Sequence, residues 1–185
     1  MFSFRVKSNP YMLLTGMSGV KMGDRVLQVG CSDGGALAAI AAKVGLSGRA
    51  LAVVPDIATA VRVQKGAQRQ GVLVDVEVGP PTTFPADDAD YDLVVVDDAT
   101  GQFASLDAGT QTTIVGEAVR VLKPGGRVLV ISALPAEGLA ALLGRGPKGP
   151  AYDATPMLEA GGCRFVRLLG EREGLRFVEG TKARA

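Results

Sequence analysis

The chain has no histidine anywhere in its 185 residues. Histidine is the commonest general base and metal ligand near neutral pH, so its absence removes both from any mechanism here. Cysteine is scarce too, with only Cys31 and Cys163. Two cysteines without metal-ligand spacing make neither a zinc site nor a disulfide framework, and the expectation is buried, reduced thiols in a cytoplasmic protein. No apolar run reaches the roughly 18 residues needed to span a bilayer. The opening MFSFRVKSNPYMLL lacks the apolar stretch and small-residue cleavage site of a signal peptide. An excess of either charge is also missing. Lys and Arg total 20 against 19 acidic residues, a net charge of +1, which gives no electrostatic reason to expect nucleic acid or an anionic membrane as partner.

What remains is a chain that is 47% hydrophobic, without internal repeats or low-complexity tracts. Its length suits one domain able to bury about 70% of the surface its unfolded chain would expose. Residues 1–23 read as an amino-terminal extension or lid, in which Tyr11 either covers a pocket or packs. Residues 24–181 read as the core.

The pattern along the core alternates strands and helices. Arg25–Val29 (RVLQV) predicts a strand, Gly34–Val44 a small-residue helix stopped by Gly45, and Arg49–Val54 (RALAVV) a second strand. A helix is expected over Ile57–Gln70, and Val72–Val78 alternates as a third strand. The proline-rich loop GPPTTFPADDAD follows, with Asp87, Asp88 and Asp90 expected to be solvated. Tyr91–Val96 is nearly continuous Val and Leu, as in a strand buried on both faces. A helix over Ala104–Leu122, a Lys123-Pro-Gly-Gly126 turn and a buried strand Arg127–Ser132 come next. Gly138–Leu143 predicts a short helix, Gly144–Pro150 a basic loop carrying Arg145 and Lys148, and Pro156–Ala160 a last helix. Two strands, CRFVRLLGE and GLRFVEG, close the chain around a hairpin at Arg172-Glu-Gly174. This order predicts a doubly wound, Rossmann-like α/β fold: a mostly parallel seven-stranded sheet with an antiparallel carboxyl-terminal hairpin and helices on both faces. Ligands of such sheets sit beyond the carboxyl ends of the strands, which directs attention to the turns after Val29, Val54, Val78 and Val96.

Three stretches, RVLQVGCSDGG, RVLKPGGRVLV and the closing strand ending FVEG, resemble those of class I S-adenosylmethionine-dependent methyltransferases, in the layout of the small-molecule, quinone-modifying members. The resemblance covers about residues 20–180. It implies a cofactor site at the first turn, with Gly30 letting backbone approach the ligand, Gly34 or Gly35 letting the next helix start close to it, Ser32 standing in for a glycine, and Cys31 packing or lining the wall. It also exposes departures. The family places an acid where Gln28 stands, an acid that accepts the ribose hydroxyls where Val54 stands, and Gly-Asp where Gly79-Pro80 stands. Asp56, two residues beyond Val54 across Pro55, is the nearest carboxylate to the ribose position. Each missing acid removes an acceptor from a ligand rich in donors, at about 1.5–3 kcal/mol for a hydrogen bond to a charged group.

Methyl transfer is an in-line displacement at a sulfonium methyl group, so positioning and desolvation can carry much of the work. Without histidine, Asp97 and Asp98 in VVVDDATG are the candidate bases or acceptor ligands, and a helix cap is the alternative role for one of them. Asp97 also belongs to the expected cofactor-binding set. No metal site is expected. The function implied is transfer of a methyl group from S-adenosylmethionine to a small-molecule acceptor. Two further readings stand beside it: a non-catalytic methyltransferase-like binding or assembly protein, such as an accessory subunit of a larger complex, and a nicotinamide-dependent oxidoreductase with an imperfect fingerprint.

Overall fold

The computed structural model describes residues 11–31, 34–135 and 150–184. The expected helix at 138–143, Arg145, Lys148 and Ser32 lie outside them.

Seven strands form one sheet in the order β3-β2-β1-β4-β5-β7-β6. They are β1 (Arg25–Val29), β2 (Arg49–Val54), β3 (Asp75–Val78), β4 (Tyr91–Asp98), β5 (Leu122–Ala133), β6 (Arg164–Arg172) and β7 (Leu175–Thr181). The first five are parallel, and β7 runs antiparallel between β5 and β6. The expected doubly wound fold is the observed one. Chain order reverses between β1 and β4, which makes their carboxyl ends the switch point.

Alternation along each strand divides the apolar residues between two faces. Leu27 and Val29 of β1, Leu51 and Val53 of β2, and Val94 and Val96 of β4 share one core. Helices α4 (Ala108–Val121) and α5 (Thr155–Ala160) cover it through Ile114, Val115, Ala118 and Leu158. The opposite face carries Val26, Leu93 and Val95 under α1 (Met12–Ser18) and α2 (Gly35–Val44). Its flank, with Ala50, Ala52 and Val54, lies under α2 and α3 (Ile57–Arg69). The segment before β1 therefore contains a helix, and Tyr11 and Leu14 pack it onto α2 and the sheet.

The differences from the expected elements have local causes. Helix α4 starts at Ala108, not Ala104, because Asp107 caps it: its Oδ1 accepts from the Thr110 amide at 2.9 Å and its Oδ2 from the Thr110 hydroxyl at 2.6 Å. Residues 99–107 are thereby released as a loop. Strand β3 is shorter than expected because its pairing with β2 begins at Asp75 opposite Leu51. The Lys123–Gly126 turn is absorbed into β5 as an irregularity: Tyr91 pairs with Leu122, and the next β4 partner is Leu93 with Arg127. The closing hairpin turns where expected, with Glu173 and Gly174 both at positive φ (53° and 77°). Asp87 and Asp88 are exposed as expected, Asp88 also pairing with Arg120, while Asp90 is partly buried and pairs with Arg25.

Candidate functional site

A cleft of about 430 Å³ opens at the carboxyl ends of the strands, across the switch point. Val29 and Gly30 contribute from the end of β1, Val53 and Pro55 from β2, Gly79 and Pro81 from the turn after β3, and Val96 and Asp97 from β4. The loop after β4 adds Gln102, Phe103, Ser105 and Leu106, and α4 adds Ile114. The walls are thus apolar, with few polar groups, as in small-molecule sites. Asp97 is the only carboxylate among the described residues that line it.

The first turn keeps its glycines for two reasons. Gly30 has φ +79°, and a Cβ there would run into the Asp97 carbonyl, so β1 and β4 close the floor of the cleft backbone against backbone. Gly34 also has φ +79°, but its bareness serves helix packing: a Cβ would lie 2.7 Å from Cα and O of Val63 in α3. The close approach expected at Gly34, where the next helix starts, is seen here as a contact between α2 and α3. At Gly35 a Cβ would meet the Tyr11 ring, so the amino-terminal helix seats directly on the start of α2.

Gln28 is wholly buried and does not line the cleft. Its Nε2 donates to Oδ2 of Asp97 at 3.3 Å, and the Ala99 amide donates to Asp97 Oδ1 at 3.2 Å. The amide therefore steadies the one carboxylate among the described residues of the cleft lining. Gln28 Oε1 has no hydrogen-bond partner among the described residues.

Four other expected cofactor residues are placed elsewhere. The Val54 side chain is buried on the opposite sheet face with Leu37 and Val63, because strand alternation turns it away from Val53 and the cleft. Cys31 packs in that same cluster. Asp56 is exposed and caps α3, its Oδ1 accepting from the Thr59 amide at 2.7 Å. That bond holds its carboxyl below the usual range, and the acid proposed for the ribose is engaged as a helix cap. Pro80 is flanked by the two residues that do reach the cleft, Gly79 and Pro81.

The two adjacent aspartates have different roles. Asp98 is 1% exposed, and it accepts from the Phe103 amide at 2.7 Å and the Ala104 amide at 3.3 Å. Burial raises its pKa, while those two amides oppose the shift. Asp98 is the cap of the loop, not a base facing a ligand. Asp97 alone reaches the cleft.

Sequence reading missed two residues behind the loop. Gln111 of α4 is 5% exposed, and its Nε2 donates to the carbonyls of Phe103 (2.9 Å), Leu106 (2.9 Å) and Ala104 (3.3 Å). Its Oε1 accepts from the Tyr152 hydroxyl at 2.9 Å. Tyr152 also meets the Phe103 ring edge to face, with centroids 6.0 Å apart. The signal for Gln111 was its position on the buried stripe Gln111, Ile114, Val115, Ala118, Val121, where an unexplained polar residue stands in helical register. A second cleft of about 270 Å³ lies at the opposite, amino ends of the strands, between the loops that follow α2 and α3, remote from the switch point.

Comparison with known proteins adds the following. The family model for the methyltransferase domain matches residues 26–126. No curated protein matches the chain. Among solved structures, a SAM-dependent methyltransferase from Aquifex aeolicus superposes with a TM-score of 0.72 at 21% identity, over 94% of this chain and 90% of that one. The S-adenosylmethionine-dependent methyltransferase SibL, in its apo form, gives 0.70 at 22% identity over 96% of this chain, which spans only 55% of that protein's length. The [4+2]-cyclase SpnF gives 0.70 at 15% identity, over 95% of this chain and 80% of that one. At these identities the likeness is one of fold, and SpnF illustrates that the fold hosts more than one chemistry.

Proposed function

From the premise that this chain belongs to the methyltransferase domain family, matched across residues 26–126, we propose that it transfers a methyl group from S-adenosylmethionine to a small hydroxylated acceptor. The observation that carries the reading is the apolar cleft at the carboxyl ends of β1, β2 and β4, closed below by the contact of Gly30 with the Asp97 carbonyl. Its volume of about 430 Å³ falls in the range of small-ligand sites. The residues present fit the nucleoside end of the cofactor: Val53 and Pro55 of β2, Pro81 after β3, and Phe103 and Leu106 of the loop offer apolar surface to an aromatic base. Asp97, steadied by Gln28 and the Ala99 amide, supplies the carboxylate that the end of β2 lacks.

Bound there, S-adenosylmethionine supplies an electrophilic methyl group on a positively charged sulfur. The protein's own contribution is to exclude water with the apolar walls and to hold Asp97 as a hydrogen-bond acceptor. With no histidine in the chain and Asp97 assigned to the ribose, the reading favours acidic hydroxyls, such as phenols, that ionise without a protein base. Calorimetry with S-adenosylmethionine tests the reading. Binding in the range of about 1–100 μM supports it, and the absence of heat at about 1 mM overturns it.

A second reading is favoured by the capping role of Asp56: the same cleft binds its ligand without methyl transfer. Binding of the cofactor without turnover, across a panel of phenols, hydroquinones and other hydroxylated acceptors, would select it over the first.

A further inference from the structure

The cleft wall formed by the loop after β4 is built from outside the cleft. Residues 99–107 form no regular secondary structure of their own, yet they carry Phe103 and Leu106 into the site. Two side chains clamp this loop from opposite ends of its polarity. Asp98 takes the amides of Phe103 and Ala104, and Gln111 gives its two amide protons to the carbonyls of Phe103, Ala104 and Leu106. Gln111 is in turn oriented by the Tyr152 hydroxyl, which fixes which end of its amide faces the loop. Burial pushes the Tyr152 phenol up to about 12, so it stays a donor through the neutral range. Arg176 of β7 holds the Tyr152 segment, donating to the carbonyls of Ala151 (3.3 Å) and Tyr152 (3.1 Å), and is itself paired with Glu171 of β6. A continuous chain of bonds thus runs from the carboxyl-terminal hairpin to the cleft.

We infer that Gln111 and Tyr152 are positioning residues for the cofactor: they set the Phe103–Leu106 wall against which its nucleoside is held, and through Arg176 they make cofactor affinity depend on the β6–β7 hairpin. This rests on the reading of the cleft as an S-adenosylmethionine site. Neither residue lines the cleft, so neither is a catalytic residue. Without Gln111 the three carbonyls lose their shared donor, and the loop must find water or rearrange. A loop that samples several conformations presents the bound one only part of the time, and apparent affinity falls by that fraction.

The test compares Gln111→Leu, Tyr152→Phe and a control, Leu158→Ala, which weakens the core cluster that Leu158 shares with Phe103 but removes no hydrogen bond to the loop. Dissociation constants for S-adenosylmethionine and for adenosine are measured by calorimetry, together with amide exchange of residues 103–106. The expected result is affinity weakened about tenfold in Gln111→Leu and about threefold in Tyr152→Phe, by the same factor for both ligands, with faster exchange confined to the loop. Leu158→Ala should lower the melting temperature while leaving both constants within about twofold. Binding by the unaltered protein that persists unchanged in Gln111→Leu and Tyr152→Phe overturns this inference alone. If Gln111→Leu does not fold, Tyr152→Phe, which removes one hydroxyl from a half-exposed ring, decides. No binding by the unaltered protein removes the cofactor reading and this inference with it.

Discussion

Gln28 is one of three positions, with Val54 and Pro80, where the resemblance to the family implies an acid, and its surroundings give a reason. A carboxylate there, wholly buried, would face the Asp97 carboxylate, which lies 3.3 Å from the Gln28 amide nitrogen. The amide turns a repulsion into a hydrogen bond. The substitution Gln28→Glu should therefore install two buried carboxylates that cannot both ionise, and raise the pKa of the pair. A raised folded-state pKa contributes stability below the unfolded value of about 4 and loses it as pH rises through the folded value. Gln28→Glu should thus be destabilised by about 2–4 kcal/mol at pH 7 and recover toward pH 5, measured by urea unfolding across that range. Equal loss at both pH values would show that the two groups do not interact. Asp98 contributes with the same sign, since burial raises its pKa. Asp56 contributes with the opposite sign: held low by its cap, it stabilises above its unfolded pKa and loses that contribution as pH falls through the folded one. The glycines of the first turn divide in the same local way. Gly30→Ala sets a methyl group on the Asp97 carbonyl at the cleft floor, and Gly34→Ala sets one 2.7 Å from the Val63 backbone. Both sit at φ +79°, so each should cost at least about 1–3 kcal/mol in chemical denaturation.

Among elements, β7 shows how charge is handled inside the sheet. Glu179 is 3% exposed and pairs with Arg127 of β5 at 2.7 Å and with Arg167 of β6 at 3.0 Å, bridging three adjacent strands. The two arginines are unequal: side-chain exposure is 27% for Arg127 and 68% for Arg167. Solvent screens the second pair and not the first. Arg127→Met should cost about 1–3 kcal/mol and Arg167→Met less than about 0.5, read as shifts of the urea midpoint. Equal losses would mean that the bridge acts as one unit. The strands themselves were legible in the sequence, because runs such as YDLVVV and RVLVIS have to be buried on both faces. The loop at 99–107 was not legible as a loop. Gly109 blurred the helix start, and the Asp107 cap that sets it works through a side-chain bond rather than through periodicity. Missing the cap meant reading part of the cleft wall as helix. Of the residues expected at the site, Gly30, Pro55 and Asp97 line the cleft, where backbone geometry sets their position. Val54 and Asp56 are turned elsewhere by strand alternation and by a helix cap, and the Tyr152 partner of Gln111 comes from far along the chain, which periodicity does not reveal.

The cleft is assembled from four strand ends and one loop, so its occupation ties together parts that otherwise meet only through the core. A ligand that binds the native state alone stabilises it by about 2.7 kcal/mol at a hundred times its dissociation constant. For a chain of this length each kcal/mol shifts the melting temperature by about 2–4 °C, so saturating S-adenosylmethionine should raise it by about 5–10 °C. NAD at the same concentration should leave it unchanged, because the first turn carries only an imperfect dinucleotide fingerprint. Two carboxylate variants then locate the cofactor. Asp97→Asn removes the only carboxylate of the described cleft lining and should shrink the shift to a few degrees, a loss of about tenfold or more in affinity. Asp56→Ala removes a helix cap at the surface and should lower the melting temperature of the free protein while leaving the ligand-induced shift intact. A shift abolished by Asp56→Ala and kept by Asp97→Asn would return the ribose to the end of β2, and with it the family's ordinary arrangement. The predicted order, Asp97 before Asp56, follows from what each carboxylate already holds: one is fixed at the cleft by Gln28, the other is closed onto the first turn of α3.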